Sequence, residues 1–192
     1  MKHAKISDVL KFTARFFATP RFTGSILPSS RFLGRRMADG AAPRPGAAVV
    51  ELGPGTGPVT AQILKGGVRP EDLYCIEFDC GLCEILRRRF PGVNVINASA
   101  EDVRSLLGER CGDVCAIVSS LPFLSLPPEV GRRILSECER LLPEGGRFVQ
   151  FTYNLKRAPE ELGFKAMRHV KDSRVYLNVP PARVDVFEKA AE

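Results

Sequence analysis

Val49-Val50-Glu51-Leu52-Gly53-Pro54-Gly55-Thr56-Gly57 is the stretch on which the reading of the whole chain turns. An apolar run that breaks into alternating glycines is the pattern of a buried parallel strand where it meets a nucleotide. Ala47 to Leu52 supply the strand. Gly53, Gly55 and Gly57 remove the Cβ atoms that would keep the backbone away from a ligand. Thr56 and Gly57 suit cap positions of a following helix, and Pro58 suits its first turn, where a missing amide hydrogen costs nothing. The loop then aims helix N–H groups at whatever sits above the strand.

A dinucleotide fingerprint requires G-x-G-x-x-G, but Pro58 stands where its last glycine would fall. With Glu51 ahead of it, the G-x-G-x-G spacing resembles motif I of the Rossmann-like S-adenosylmethionine-dependent methyltransferases. A lone glycine turn is weak evidence, and the context strengthens it. A strand precedes, a helix follows, and Glu77 comes twenty residues after Gly57 at the end of a second strand. A carboxylate there can accept both hydroxyls of a ribose, with Asp79 as the alternative. Glu51 either shapes the glycine loop, meets the methionine amino group of the cofactor through water, or is simply solvated.

Beyond the loop the chain alternates. Strands are expected at 73–78, 93–97, 114–119 and 146–153, with helices at 81–89, 101–107 and 127–142 between them. A final β-hairpin is expected over 164–188. Strands alternating with helices imply right-handed crossovers, a parallel sheet with helices on both faces, and a ligand at the carboxyl ends of the strands. The expected fold is therefore α/β, a Rossmann-like class I methyltransferase sheet, mostly parallel with a C-terminal antiparallel hairpin and an N-terminal helical extension. Residues 46–192 would form the cofactor-binding domain and residues 1–45 an attached lid or linker.

A chain of 192 residues that is 44% hydrophobic is large enough for one full core. No apolar run approaches the roughly eighteen residues that span a bilayer, and the start lacks a secretory h-region. A cytoplasmic protein, soluble or peripheral on the inner face of the membrane, is expected. The net charge of +6 favours anionic partners, nucleic acid or an acidic membrane alike. Six cysteines include Cys80-x-x-Cys83 and Cys111-x-x-x-Cys115, spacings near those of zinc sites. Cys115 falls in the apolar run 114–118, however, and Cys75 and Cys138 add no pattern, so buried reduced thiols and no metal are expected.

Residues 5–17 place Ile6, Val9, Leu10, Thr13, Phe16 and Phe17 on one face of a helix, with Lys2, Lys5, Lys11 and Arg15 mostly around it. Such a helix can pack on the domain or lie in a membrane interface. For the second role the candidates are Ile6, Leu10, Lys11, Arg15, Phe16 and Phe17. Pro20 ends the helix, residues 24–30 form an irregular link, and a second short helix is expected over 31–38, closed by Asp39-Gly40.

After the fourth strand comes Ser119-Ser120-Leu121-Pro122-Phe123-Leu124-Ser125-Leu126-Pro127. A rigid Leu121-Pro122 turn beside the glycine loop would bring backbone carbonyls and the Phe123 ring to a reacting nitrogen. Both stabilise the positive charge that methylation builds there. This turn, motif I, Gln150-Phe151-Thr152-Tyr153 and Asn178-Val179-Pro180-Pro181-Ala182-Arg183-Val184 together resemble the bacterial phospholipid N-methyltransferases. The N-terminal helix and Leu27-Pro28-Ser29-Ser30 are similar too, so the likeness covers nearly the whole chain.

The resemblance implies stepwise methylation of phosphatidylethanolamine toward phosphatidylcholine, with ornithine lipids as the substrate of a close branch. It implies S-adenosylmethionine as cofactor, held by Glu51, Gly53, Gly55, Gly57, Glu77, Phe78, Ser99, Ala100 and Ser119. Leu121, Phe123 and Tyr153 would stand at the reacting amine, and Arg183 at the lipid phosphate. The chain departs from the family at Ser99, where relatives carry aspartate, and at Ser120, where many carry glycine. Glu101 or Asp102 could also accept from the adenine amino group. The Leu-Pro-Phe turn is similar as well to that of the ribosomal RNA adenine dimethylases, so base methylation is the enzymatic alternative. A non-catalytic module that kept the cofactor fold is the other. No nucleic-acid partner is expected, because no separate RNA-binding domain is evident.

Overall fold

The computed structural model describes residues 31–107 and 113–190. The basic helix expected over 5–17, with Ile6, Leu10, Lys11, Arg15, Phe16 and Phe17, the link at 24–30 and Cys111 lie outside the described residues.

The described elements in chain order are α1 (Arg31–Ala41), β1 (Ala48–Leu52), α2 (Pro58–Lys65), β2 (Leu73–Glu77), α3 (Cys80–Arg89), β3 (Asn94–Asn97), α4 (Val103–Leu107), β4 (Val114–Ser119), α5 (Pro128–Leu141), β5 (Arg147–Thr152), β6 (Met167–Val175) and β7 (Ala182–Lys189). Among the described residues they build a seven-stranded sheet in the order β3-β2-β1-β4-β5-β7-β6. Strands β1 to β5 run parallel, while β7 is antiparallel to both β5 and β6. The expected fold class is thus the observed one.

β1 and β4 are buried along their whole length, as continuous apolar runs covered on both faces must be. Val49, Ala116, Val118 and Val149 face α1 and α2, whereas Val50, Ile117 and Phe148 face α4 and α5. The chain steps from β1 out to β3 and then returns to place β4 on the other side of β1. A crevice is left at the carboxyl ends of β1 and β4, where ligands bind in open α/β sheets.

Two helices differ from expectation by more than one residue at an end. Asp39-Gly40 does not stop α1, which runs on to Ala41. Gly40 is small because the sheet lies against it: a Cβ there would sit 3.0 Å from Val186 Cγ2 and 3.3 Å from Val149 Cγ1. The stop comes from Ala42, in the left-handed region at φ 42°, and Pro43. Leu33, Met37, Ala38 and Ala41 are buried in the same core as β1, β5 and β7, so α1 is built into the fold. The helix expected at 101–107 opens instead as a 3₁₀ turn, Ala100–Asp102, before α4.

The hairpin runs from Met167 to Lys189 rather than over 164–188, and its second strand pairs Arg183 with Thr152. The turn between β6 and β7, residues 176–181, therefore lies at the carboxyl end of the parallel strands. Among the described residues no helix is long and apolar enough to cross a membrane. Cys75, Cys83, Cys115 and Cys138 are buried thiols and Cys80 is exposed. The Cys83 thiol donates to the Glu77 carbonyl and the Cys115 thiol to the Ala48 carbonyl, each at 3.4 Å.

Candidate active site

The glycine loop leaves β1 with Gly53, Gly55 and Gly57 at φ of 65°, 59° and 86°. These left-handed conformations disfavour any residue with a Cβ. Crowding adds to this at two of the positions. A Cβ on Gly53 would stand 2.8 Å from Leu121 Cδ2, and one on Gly57 would stand 2.3 Å from Phe90 Cε2. At Gly55 nothing lies within 4 Å of the missing Cβ, so the centre of the loop faces open space. Arg89 holds the loop from behind, its Nη1 donating to the Thr56 carbonyl at 2.7 Å. Gly57 caps α2 without a side-chain bond, and Pro58 follows in its first turn.

Glu77 ends β2 with 3% of its surface exposed. Its Oε2 accepts the Gly55 amide at 3.1 Å and its Oε1 accepts the Asp79 amide at 2.9 Å. The Phe78 amide acts on the carboxylate as well, and its remaining accepting capacity is what a ribose would use. Burial raises the Glu77 pKa, and these amides oppose that rise. Asp79, the alternative ribose acceptor, caps α3 by accepting the Leu82 amide at 3.0 Å. The Asn97 side chain donates to the carbonyls of Glu77 and Phe78 at 3.0 and 2.9 Å, fixing the strand end that carries both. Sequence reasoning missed Asn97.

Glu51 is fully buried. Its Oε2 accepts from Thr60 Oγ1 at 2.7 Å and from the Cys75 thiol at 3.6 Å, while Oε1 has no hydrogen-bond partner. Desolvation pushes its pKa up to about 7. Of the three roles open to it, solvated surface acid is removed by its burial. Ser99 accepts the Glu101 amide at 3.3 Å and so caps the 3₁₀ turn that carries Ala100.

The turn after β4 docks on the glycine loop. The Ser120 amide donates to the Leu52 carbonyl at 2.9 Å, and buried Ser119 uses its hydroxyl to accept the Leu121 amide at 3.2 Å. The Leu121 carbonyl accepts the Gln150 side-chain amide at 3.0 Å and the Phe123 amide at 3.1 Å. Both its lone pairs are engaged within the chain, so this carbonyl is not among those free to meet a reacting nitrogen, and the Leu121 side chain packs over Gly53. Ser120 Oγ and Gln150 Oε1 are buried and without a partner.

Phe123 packs edge-on against Phe148 at 6.4 Å and belongs to the core on the α5 face. Tyr153 packs edge-on against Phe151 at 5.3 Å and belongs to the opposite core. The two rings thus flank the ends of the neighbouring strands β4 and β5. The Tyr153 hydroxyl meets the Asn178 side chain, and burial raises its pKa.

Arg183 corrects the sequence-based assignment. It is buried, with Nε and Nη2 on the two Asp185 oxygens at 2.7 and 3.0 Å. Nη1 and Nη2 also donate to the carbonyls of Leu155 and Arg157, at 3.3 and 2.8 Å. A guanidinium with four of its five N–H groups spent inside the chain is a brace between β7 and the β5 exit loop, not a phosphate ligand.

The structure therefore places Glu51, the three glycines, Glu77, Phe78, Ser119, Leu121 and Phe123 at or just past the carboxyl ends of β1, β2 and β4, with Tyr153 just past β5. Ser99 and Ala100 lie at the end of the adjacent strand β3. A loop with open space before it, amides at a helix start, a diol acceptor and an orphaned buried carboxylate oxygen together fit an adenosyl cofactor that carries an amino group.

Comparison with known proteins agrees. Residues 50–150 match the family model described as "Methyltransferase domain". The chain is 30% identical over 152 residues to the ornithine lipid N-methyltransferase of Singulisphaera acidiphila, covering 77% of this chain and 79% of that one. It is 34% identical over 94 residues to a probable ribosomal RNA small subunit methyltransferase A of Thermococcus kodakarensis, covering 48% of this chain and only 30% of the relative. The N-methyltransferase NodS of Bradyrhizobium japonicum, solved with S-adenosyl-L-homocysteine, has the same fold at TM-score 0.70 and 11% identity, over 95% of this chain and 99% of that one. A Burkholderia thailandensis 1,6-didemethyltoxoflavin N1-methyltransferase, also solved with S-adenosylhomocysteine, gives TM-score 0.67 at 16% identity, over 98% and 90%. The chain belongs to the methyltransferase-domain family, a Rossmann-like class I methyltransferase whose cofactor is S-adenosylmethionine.

Proposed function

We propose that the chain methylates the amine of a membrane lipid head group, with ornithine lipid as the favoured substrate. The observation that carries this is the likeness to an ornithine lipid N-methyltransferase over 79% of that enzyme's length. The engagement of Arg183 by Asp185 adds to it, since it removes the cation that a phosphate head group was expected to meet. Phosphatidylethanolamine is the second reading, favoured by the segments at 119–127 and 178–184.

Bound S-adenosylmethionine supplies a methyl group on a cationic sulfur, ready for attack by a neutral amine. The chain's part is to orient and to stabilise. Phe123 and Tyr153 offer ring faces to the nitrogen as it becomes cationic. The buried Ser120 hydroxyl and Gln150 Oε1, both lacking partners, are acceptors for its N–H groups. The amine needs only to lose one proton, which water at the strand ends can take.

The test supplies methyl-labelled S-adenosylmethionine with vesicles containing ornithine lipid, vesicles containing phosphatidylethanolamine, or RNA. Label in ornithine lipid is expected. Label in phosphatidylethanolamine alone would move the assignment to the second reading, and label in RNA alone, or in none of the three, would overturn it.

A further inference from the structure

The turn between β6 and β7 exposes large apolar side chains where a folded domain has no internal use for them. Tyr176 is 66% exposed, Leu177 69% and Val179 55%, and they follow one another within four residues. Leu124, on the turn after β4, is 60% exposed. Both turns lie at the carboxyl end of the parallel strands, because Arg183 pairs with Thr152 in β7 and β5. The exposed apolar groups therefore rim the mouth of the crevice.

Two exposed basic side chains, Arg174 and Lys156, stand behind the tip, whereas Arg183 is paired with Asp185 and Arg157 with Glu161, and exposed Asp172 lies near Arg174. Residues 119–128 carry no charge at all. The Arg174 side chain is hydrogen-bonded to Tyr176. An apolar tip with basic residues behind it fits the boundary between head groups and acyl chains of an anionic bilayer, where a tyrosine keeps its ring in the apolar layer and its hydroxyl in the wet one.

The tip is also wired to the site. Asn178, 2% exposed, donates from Nδ2 to the Pro180 carbonyl at 2.7 Å and meets the Tyr153 hydroxyl. We infer that Tyr176, Leu177 and Val179, together with Leu124 of the turn after β4, insert into the interface of an anionic membrane and so set the mouth of the site at head-group level. This rests on the lipid-amine reading and adds a surface to it, separate from residues 5–17.

The chain has no tryptophan, so Leu177→Trp in the full chain gives a single reporter. Its emission should shift to the blue, and be quenched by brominated acyl chains, on vesicles containing phosphatidylglycerol but much less on pure phosphatidylcholine. A reporter at Ile85→Trp, 39% exposed on α3, should not respond. The Tyr176→Ser/Leu177→Ser/Val179→Ser variant should partition onto the anionic vesicles about tenfold more weakly, with an unchanged thermal melt. An unshifted reporter on a chain that still sediments with vesicles would overturn the inference, assigning docking to another segment. A concentration-dependent shift without vesicles would overturn it in favour of a second copy. Methylation of a soluble head-group analogue separates the two readings. If docking fails but the lipid-amine chemistry holds, the analogue is still methylated; if the chemistry fails, it is not, whatever the reporter does.

Discussion

Glu77 Oε2 accepts the backbone amide of Gly55 at 3.1 Å, so the carboxylate assigned to the ribose also holds the loop beneath it. Glu77→Ala should weaken S-adenosylmethionine by about 1.5–3 kcal/mol, and Glu77→Gln by less, since its amide oxygen can still accept one of these bonds. Isothermal calorimetry measures both; unchanged affinity in the alanine variant would remove Glu77 from the cofactor site.

Gly57→Ala should cost roughly 2–4 kcal/mol in urea unfolding, combining a left-handed backbone with overpacking on Phe90. The coupling is specific. Adding Phe90→Ala removes the worst of the clash and leaves the strain and Leu86 Cδ2 at 3.0 Å, so the double variant should be more stable than the sum of the two single costs predicts. Simple additivity would show that Phe90 is not the obstacle.

Burial raises the Glu51 pKa from the ordinary 4.5 of a glutamate to about 7. The folded state then binds more protons than the unfolded state between those values, so stability present below the lower one is lost as pH rises through the upper one. The loss amounts to about 3 kcal/mol, and Glu51→Gln should abolish it. Urea midpoints measured without cofactor at pH 5 and pH 8 check this through the difference between variant and parent. Parallel profiles would show that Glu51 is ionised throughout.

Phe123→Leu keeps apolar volume and removes the ring face. Turnover should fall about tenfold, the scale of a cation–π contact in a desolvated site, while the affinity for S-adenosylmethionine holds. Normal turnover would make the ring a core filler attached to Phe148.

Arg183→Met leaves Asp185 buried without its main cation, His169 Nε2 being 3.6 Å away. The variant should lose about 3–5 kcal/mol, whereas Arg183→Met/Asp185→Leu should lose much less. The double variant, once folded, should keep its KM for lipid. A large rise in KM would return Arg183 to the head group.

The alternation of strands and helices was legible because buried parallel strands are continuous apolar runs, and the glycine loop because its spacing has few other uses. Arg183 was misread although its sequence carried the answer. In a strand, residues two apart share a face, so Arg183-Val184-Asp185 puts both charges side by side. Gln150 within Phe148-Val149-Gln150-Phe151 likewise announces a buried amide in need of partners. That its partner is the Leu121 carbonyl depends on the packing of β5 beside the β4 turn, which no local pattern encodes. Gly40 reads as a helix stop because glycine usually is one; only the nearness of Val149 and Val186 reveals the other reason.

Those contacts of Gly40 also bear on how the molecule is made. The earliest described helix finds its seat on β5 and β7, and β7 is the last described strand to leave the ribosome. During synthesis α1 can rest on α2 and later on β5, but the residues around Gly40 that lie against Val186 stay uncovered until the hairpin emerges. A nascent chain stalled before residue 182 should expose them to chaperones and proteases, and release of β7 should end that exposure in a single step.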